Sequence, residues 1–320
     1  MKQPRLLVIG SLVMDLIVCA ERFVNAGETI LGTDYHTASG GKGANQAAQA
    51  ALLGADVAMA GKVGDDAFGR EMLSSLNRAG VDTSRVRVTH EAPSGVGNIQ
   101  IQSVMGKTQT RLVVVPGANM TFTQDDIAPL EREICRYDMV ILQLEIPMAV
   151  NELVAAWAAR DGVPVMLNPA PAAALDAAFL SHLSWLAPNE HEASLLTGLP
   201  IATETDMRRA ADWLRQRGCP NVIITLGDRG AACQNGETFF VSPCIPCKHP
   251  VDPTAAGDSF IGAFCTALSA GMPVRQAMTF ANQAASITVS RMGAQPSLPN
   301  LQMVNERLLA AGQATLRFDA

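Results

Sequence analysis

The sequence lacks the features of a membrane or secreted protein. None of its apolar runs approaches the ~18–20 residues that would span a bilayer. The first ten residues, MKQPRLLVIG, contain neither the long apolar segment nor the cleavage site of a secretory signal peptide. The seven cysteines are odd in number, and their spacing is not that of a disulfide framework. We therefore expect a soluble protein of the reducing cytoplasm.

The sequence also lacks blocks of positive charge. The net charge is −6, and the 24 lysines and arginines are scattered along the chain. A surface for nucleic acid or for an anionic membrane would gather them. Apolar residues make up 48% of the 320 residues, which is enough for a sizeable core. Chemistry on a small molecule is therefore the default function class, with neither nucleic acid nor membrane as a partner.

Short apolar runs predict strands that are buried on both faces of a parallel sheet. They lie at the start of 5–18 and at 56–61, 139–145, 163–169, 185–189 and 221–227. Helical patterns that end near glycine lie between several of them, at 69–80, 149–162 and 205–218. This alternation predicts an α/β fold with a mostly parallel central sheet covered by helices on both sides.

Two stretches, about 15–39 and 94–116, break this rhythm. The second contains GVGNIQIQSVMGKTQTRLVVV, in which apolar and polar residues alternate and Met105-Gly106-Lys107 forms a turn between two arms. The two stretches predict a small β-sheet attached to a single domain over 1–320. The alternative is that they are edge hairpins of the main sheet.

A glycine-rich segment, SGGKGANQAAQAALLG at 39–54, precedes an alanine-rich helical pattern. The usual phosphate loop requires G-x-x-x-x-G-K-[ST], and here Lys42 is followed by Gly43, so that pattern fails. A better place for phosphate is VDPTAAGDSF, where the turn Thr254–Gly257 leads into a predicted helix near Asp258. Small side chains there leave N–H groups open to an anion at the positive end of the helix. Asp258 is then a candidate base for an incoming hydroxyl, or simply a residue at a helix start.

These two segments resemble the two signatures of the ribokinase-like (PfkB) carbohydrate kinases. The resemblance extends in order along the chain, through GETILG, GKVGDDAFG, LQLEIP, LNPAPA, PNEHE, ITLGDRG and GAQPSLP. Within the family, the motifs are most similar to those of ribokinases and deoxyribokinases. The resemblance implies ATP-dependent transfer of the γ-phosphoryl group to a hydroxyl, expected at position 5, of a pentose such as ribose or 2-deoxyribose.

The resemblance also implies roles for individual residues in catalysis. Asp258 matches the general base, and the preceding turn, Ala255-Ala256-Gly257, matches the N–H groups that stabilise the moving phosphoryl group. Phosphoryl transfer depends mostly on positioning and electrostatic stabilisation, which suits these groups.

The sugar pocket, by the same resemblance, is lined by Gly41, Lys42, Asn45 and Asp258, with Asp15 and Glu145 accepting hydrogen bonds from hydroxyls. Taken alone, Lys42 could lie on the surface and Glu145 could simply end a strand.

The chain departs from the ribokinase pattern at Val13. Ribokinases carry N-x-D at the end of the first strand, whereas this chain reads Val13-Met14-Asp15. An apolar side chain cannot pair with a sugar hydroxyl, and an unpaired buried hydroxyl costs roughly 1–3 kcal/mol. Deoxyribokinases also carry an apolar residue there, so 2-deoxyribose is an alternative to ribose.

The resemblance assigns the nucleotide and magnesium to the second half of the chain. Asn189 and Glu192 match the N-x-x-E motif that organises Mg²⁺, partly through water, and one such carboxylate suffices for this ion. Thr225, Gly227 and Asn282 match positions around ATP, as does Gly257. Asn282 could instead be an amide on a helix surface.

A monovalent cation, K⁺, and a homodimer are further implications of the resemblance. The cation site maps onto Asp252, Thr254, Thr288, Arg291, Gly293 and Ser297. The small sheet is expected to act as a lid and to pair with that of a second copy, which would cover apolar residues such as Val113 and Val115.

Three alternatives remain open. The protein could be a kinase for another sugar, a kinase for a nucleoside, or a sugar-binding regulator on the same fold that does not catalyse phosphoryl transfer. Cys244 and Cys247 have the C-x-x-C spacing of zinc or redox sites, but without a second pair this is weak support for either.

Overall fold

The computed structural model describes residues 1–104, 107–247 and 249–319. The predicted turn at Met105-Gly106 therefore lies outside the described residues. The strands are β1 (Arg5–Ile9), β2 (Val13–Ala20), β3 (Asp34–Gly40), β4 (Asp56–Gly64), β5 (Asp82–Thr89), β6 (Gly95–Val104), β7 (Lys107–Val115), β8 (Met139–Gln143), β9 (Val165–Asn168), β10 (Trp185–Leu186), β11 (Asn221–Thr225), β12 (Ala231–Asn235) and β13 (Thr238–Ser242). The helices are α1 (Lys42–Leu52), α2 (Ala67–Arg78), α3 (Gln124–Ile127), α4 (Met148–Arg160), α5 (Ala177–His182), α6 (Glu190–Thr197), α7 (Glu204–Arg215), α8 (Ala256–Ser269), α9 (Val274–Thr288) and α10 (Leu301–Ala310).

The large sheet has nine strands in the order β13-β12-β11-β10-β9-β8-β1-β4-β5. All neighbours from β11 to β5 pair in parallel, and β12 and β13 add an antiparallel hairpin at one edge. β1 lies inside the sheet, where Val8 pairs with Met59 on one side and Ile141 on the other. The predicted α/β fold with a mostly parallel sheet is confirmed.

Helices cover both faces of this sheet, and β1 shows the consequence in its side chains. Leu6 and Val8 pack into a core with α1, α2, α8, α9 and α10, while Leu7 and Ile9 pack into a second core with α4, α5, α6 and α7. All four side chains are fully buried. A continuous apolar run forms this strand because successive side chains enter opposite cores.

The small sheet has the order β3-β2-β6-β7, and no pairing joins it to the large sheet in the part of the chain that the structure describes. β2 pairs in parallel with β6, and the outer pairs are antiparallel. The alternative of edge hairpins is therefore wrong. The core of this sheet is small, formed by Ile17, Ala38 and Ile99.

The small sheet is fixed to the large one through Leu12, in the short link between β1 and β2. The Nδ2 group of Asn119 donates to the Leu12 carbonyl at 2.8 Å, and its Oδ1 accepts from the Leu12 N–H at 2.9 Å. A fully buried asparagine thus satisfies both backbone groups where the chain passes between sheets. This contact places β2, and hence Asp15, beside the end of β1.

The parallel strands direct their carboxyl ends to one edge of the large sheet, where a ligand site is expected. α1 begins at this edge because its start crosses very close to the end of β1. A Cβ on Gly43 would lie 2.7 Å from the carbonyl carbon of Gly10 and from the nitrogen of Ser11, so only glycine fits there. In the described ranges, no helix combines the length and apolarity needed to cross a membrane. The cytoplasmic location stays a prediction.

Candidate active site

A cavity of about 240 Å³ opens at the carboxyl edge of the large sheet. Seven residues predicted for the site line it, namely Lys42, Asn189, Glu192, Thr225, Ala255, Gly257 and Asp258. They come from the starts of α1, α6 and α8 and from the end of β11. The structure therefore brings together segments more than two hundred residues apart in the chain.

The turn before α8 has an unusual backbone. Ala255, the N-cap residue, has φ = 60°, a left-handed conformation that non-glycine residues rarely adopt. The Ala256 N–H donates to the Pro253 carbonyl at 3.2 Å. A Cβ on Gly257 would meet no atom within 4 Å, so the space beside this residue is open. The start of α8 thus presents backbone, without side-chain bulk, to the cavity.

Asp258 lines the cavity and is buried, with 8% of its surface exposed. Its Oδ2 accepts from Asn45 Nδ2 at 3.0 Å, and its Oδ1 accepts from Gln46 Nε2 at 2.9 Å. Burial raises the pKa of Asp258 above its usual value, although Lys42 and the two amide hydrogen bonds act in the opposite direction. This carboxylate is far from an ordinary residue at a helix start, because it faces inward and is bound on both oxygens.

Lys42 lies in the cavity among carboxylates, and so the alternative of a surface lysine is wrong. Burial acts to lower the pKa of Lys42, but the carboxylates of Asp258, Glu145 and Glu192 outweigh it, and the pKa is raised overall. Lys42 is therefore held as a cation that faces three acids.

Glu145 joins the start of α1 to the end of β1. Its Oε2 accepts from the Ser11 hydroxyl and, at 3.1 Å, from the backbone N–H of Lys42. It is thus more than the end of a strand, because its carboxylate fixes two segments of the site.

Asp15 lies on β2 of the small sheet, close enough to Glu145 and Asp258 for their charges to act on its carboxylate. Its carboxylate lies between two glycines, since a Cβ on Gly40 or on Gly97 would lie 2.6 Å from one of its oxygens. Burial, followed by the charges of Glu145, Asp258 and Asp252, raises the pKa of Asp15 to about 7. The ionised form of Asp15 is therefore disfavoured in the folded protein.

Val13 lies two residues before Asp15, on the same face of β2, because side chains alternate along a strand. It is 4% exposed and pairs with Gly40 and Gly95 on the neighbouring strands. An apolar side chain therefore stands next to the acid. Gly41, whose φ is 91°, crosses directly over the backbone of Val13, since a Cβ there would lie 2.7 Å from the Val13 nitrogen.

Asn189 and Glu192 form a capping box at the start of α6. The Glu192 N–H donates to Asn189 Oδ1, and the Asn189 N–H donates to Glu192 Oε2, both at 2.8 Å. Burial raises the pKa of Glu192, although the hydrogen bond from Asn189 and the charge of Lys42 oppose this effect. Thr225 pairs with Asn189 in a β-bridge, and two residues later Gly227 has φ = 58°, where a Cβ would meet no atom within 4 Å.

Asn282 lies outside the lining of this cavity. It is buried in α9, and its Nδ2 group donates to the Ser242 carbonyl and hydroxyl, both at 3.0 Å, so the alternative of a helix-surface amide is wrong. Its side chain does not line the cavity. Here the amide ties α9 to the end of β13.

The six residues predicted for the monovalent cation fall into two groups. Asp252 ties two loops together, because its Oδ1 accepts from the Thr254 N–H and its Oδ2 accepts from the Gly293 N–H, both at 2.9 Å. The other three make separate contacts. Thr288 and Ser297 are fully buried and bond to the carbonyls of Ala284 and Ala294, while Arg291 contacts the Met303 sulfur at 3.4 Å.

The cysteines form no comparable site. All seven are free, and burial raises the pKa of Cys244, so its thiol is not activated. Over residues 1–104, 107–247 and 249–319, no three His, Cys, Asp or Glu side chains group as metal ligands would.

Four polar residues of the site were not predicted. Ser11 and Gln46 contact the predicted residues Glu145 and Asp258, Asn168 lines the cavity, and Gln143 contacts Gln46. Gln46 follows Asn45 in GANQA and Asn168 begins NPAPA, so the motifs contain two of them. No local pattern marks Ser11 or Gln143.

Comparisons with known proteins agree with this geometry. Residues 3–301 match the family model described as pfkB family carbohydrate kinase. The chain is 40% identical over 307 residues to a ribokinase of Bacillus subtilis (strain 168), covering 94% of this chain and 98% of the relative. It is 33% identical over 302 residues to a deoxyribokinase of Salmonella typhi, covering 94% and 97%. A solved structure of Arabidopsis thaliana ribokinase, complexed with ribose and ATP, superposes with a TM-score of 0.88 at 33% identity, covering 96% of this chain and 99% of that one.

The raised pKa of Asp15 predicts a pH-dependent gain in stability on its removal. The folded pKa of about 7 lies above the ordinary value of 3.8, so the folded state binds the extra proton and wild-type stability falls as pH rises between these values. Asp15→Asn should be as stable as wild type near pH 4 and more stable by about 2 kcal/mol at pH 8, allowing for solvent screening. Urea unfolding at several pH values measures this.

The exposed Asp125 offers a matched control for that experiment. Asp125→Asn makes the same change in charge and should leave the free energy of unfolding nearly unchanged at both pH values. A stability difference between Asp15→Asn and wild type that does not grow with pH would contradict the assignment.

Proposed function

The chain belongs to the pfkB family of carbohydrate kinases, and we propose that it transfers the γ-phosphoryl group of ATP to a hydroxyl, expected at position 5, of a pentose. The observation that carries the proposal is the buried, doubly hydrogen-bonded Asp258 beside the open backbone of Gly257. A regulator that only binds sugar needs neither feature. The relatives named ribokinase and deoxyribokinase support a pentose as substrate.

Asp258 acts as the general base in this proposal. It accepts the proton of the sugar hydroxyl while the oxygen attacks the γ-phosphorus and ADP leaves. Burial raises the pKa of Asp258, so its carboxylate is a stronger base toward the proton of the hydroxyl. The amide groups of Asn45 and Gln46 orient the carboxylate before the sugar arrives.

The start of α8 and Lys42 would stabilise the charge that moves with the phosphoryl group. First-turn N–H groups lack intrahelical partners, and the turn Ala255–Gly257 exposes them to the cavity. The N–H of Ala256 already donates to Pro253, so Gly257 is the better placed donor. Lys42 supplies positive charge beside Asp258.

The residues present fit a magnesium ion that is held largely by phosphate and water. Glu192 places one carboxylate in the cavity, and Asn189 and Thr225 add neutral oxygens beside it. Mg²⁺ usually takes one or two carboxylates and keeps several waters. When bound with ATP, it neutralises charge on the phosphate oxygens. We propose that Glu192 holds it, partly through water, and that Thr225 and Gly227 adjoin the nucleotide.

We propose K⁺ as an activating ion in the loops joined by Asp252. Asp252 holds the segment of Thr254 and the segment of Gly293 together, two residues before the turn that precedes α8. An ion among oxygens there would stabilise that turn. Turnover is expected to fall when choline replaces potassium, and equal turnover in both would exclude the ion.

We propose a homodimer formed through the small sheet, which would then serve as a lid over the sugar. β7 is an edge strand on which Leu112, Val113, Val114 and Val115 are all exposed, and an unpaired apolar edge favours association. Light scattering should give the mass of two chains for wild type and of one chain for Val113→Lys.

Asp258→Asn tests the proposed reaction. Turnover should fall by ~10²–10⁴-fold, since the base is lost, while the fold persists because asparagine fills the same space. The measurement is ADP release with pentoses, deoxypentoses, hexoses and nucleosides, and circular dichroism checks the fold. Near-normal turnover by the variant would remove Asp258 from the mechanism. Absence of ADP release by wild type with every compound would favour the sugar-binding regulator.

Val13→Asn tests which pentose is preferred. The asparagine can pair with a hydroxyl that Val13 cannot, so the ratio of kcat/KM for ribose to that for 2-deoxyribose should rise about 10-fold, the effect of one good hydrogen bond. Val13→Ala, which removes bulk without adding a partner, should leave the ratio nearly unchanged. A strong preference of the wild type for ribose would refute a role for Val13 in favouring deoxyribose.

A further inference from the structure

We infer that Gln46 is a positioning residue that holds Asp258 in its ionised form, and that Gln143 fixes the direction in which Gln46 points. The inference rests on the proposed role of Asp258 as the base. It assigns a function to two buried glutamines that do not line the cavity.

The three side chains form a continuous chain of hydrogen bonds. Gln143 Nε2 donates to Gln46 Oε1 at 2.7 Å, and Gln46 Nε2 donates to Asp258 Oδ1 at 2.9 Å. Gln46 Nε2 also lies 3.2 Å from Asn168 Oδ1. Both glutamines are completely buried, so water cannot replace these bonds. We call this set, Gln143, Gln46 and Asp258, the amide relay.

The direction of the relay determines which form of Asp258 it stabilises. A glutamine amide has a donating NH₂ end and an accepting oxygen end. Because the NH₂ group of Gln143 can only donate, it requires the oxygen of Gln46 and turns the NH₂ group of Gln46 toward Asp258. The ionised carboxylate of Asp258 accepts that bond. If Asp258 were protonated on this oxygen, its O–H would face the NH₂ group of Gln46, and two donors cannot form a hydrogen bond.

The backbone of Gln143 is held by a neighbouring amide, and its side chain packs against the end of β1. Gln143 ends β8, and its backbone carbonyl accepts from Asn151 Nδ2 at 2.8 Å. Its side-chain oxygen is packed against Gly10, where a Cβ would lie 1.9 Å away, and this oxygen has no hydrogen-bond partner among the described residues. The glycine at the end of β1 therefore provides the space that the relay needs.

Charged groups also act on Asp258 from the surrounding elements. Lys42 on α1 favours its ionised form, while Glu145 after β8, Glu192 on α6 and Asp15 on β2 disfavour it. None of them bonds to Gln46 or Gln143 through its side chain, so the substitutions below leave these charges in place.

The experiment removes each amide in turn and follows the pH dependence of kcat. Gln46→Met keeps a similar volume but removes the donor, so the acidic limb should move to higher pH by about one unit. Gln46→Glu places a second carboxyl against Asp258 and should move the limb further. Gln143→Met should move it in the same direction, because Gln46 is then free to turn its oxygen toward Asp258. KM for the sugar should change much less than kcat.

Gln49 provides the matched control. It is a completely buried glutamine one turn further along α1, bonded to Pro299 and Ser259 rather than to Asp258. Gln49→Met should lower stability to a similar degree and leave the acidic limb where it is in wild type.

Titration of the Asp258 carboxyl carbon decides the question without turnover. In protein labelled with ¹³C-aspartate, with the signal assigned by its loss in Asp258→Asn, the midpoint should be higher in Gln46→Met and Gln143→Met than in wild type. Unchanged midpoints in both variants would overturn the inference. Absence of ADP release by wild type would instead defeat the proposed function, and the titration would still report on the relay.

Discussion

The contact between α1 and α8 is the interaction on which the rest of the site depends. It is close because Gly262 lacks a side chain, and a Cβ there would lie 2.7 Å from the Gln46 carbonyl. A glycine inside a helix lowers the stability of the protein by about 1 kcal/mol relative to alanine. Only glycine, however, lets the two helices approach each other this closely. Across the interface, Asn45 and Gln46 bind Asp258, and Gln49 binds Ser259. The start of α1, where the sugar is proposed to bind, and the start of α8, where phosphate is proposed to bind, are thereby fixed to each other.

The second constraint is an excess of buried negative charge. Asp15, Glu145, Glu192 and Asp258 surround one cation, Lys42, and burial raises the pKa of Asp15, Glu192 and Asp258. Such a cluster destabilises the folded protein, because burial and mutual repulsion disfavour the ionised forms of these acids. Hydroxyls of a sugar would supply additional hydrogen-bond donors to these carboxylates. The acids of the site thus lower the stability of the empty protein, and the same acids would bind a polyhydroxy ligand.

The fold could largely be predicted from the sequence, since strands such as β1 and β8 are apolar throughout and alternate with helices. β5 and the hairpin β12-β13 are not predicted from the sequence. They lie at the two edges of the large sheet, and polar residues interrupt the apolar runs that mark its inner strands. In the site, Asp258, Lys42 and Glu192 follow from motifs, and the structure places all three at one cavity. Gln143 could not be found this way, since it contacts Gln46 across 97 positions of the sequence.

The amide relay and the acids around it differ in how they respond when the solution becomes more acidic or more basic. A glutamine amide neither gains nor loses a proton across the range in which proteins remain folded. The orientation that Gln143 imposes on Gln46 is therefore the same at every such pH, and the support around the carboxylate behaves as a constant background. Any response of the site to pH must then arise from the acids and from Lys42, so the structure separates the groups that set geometry from the groups that carry protons.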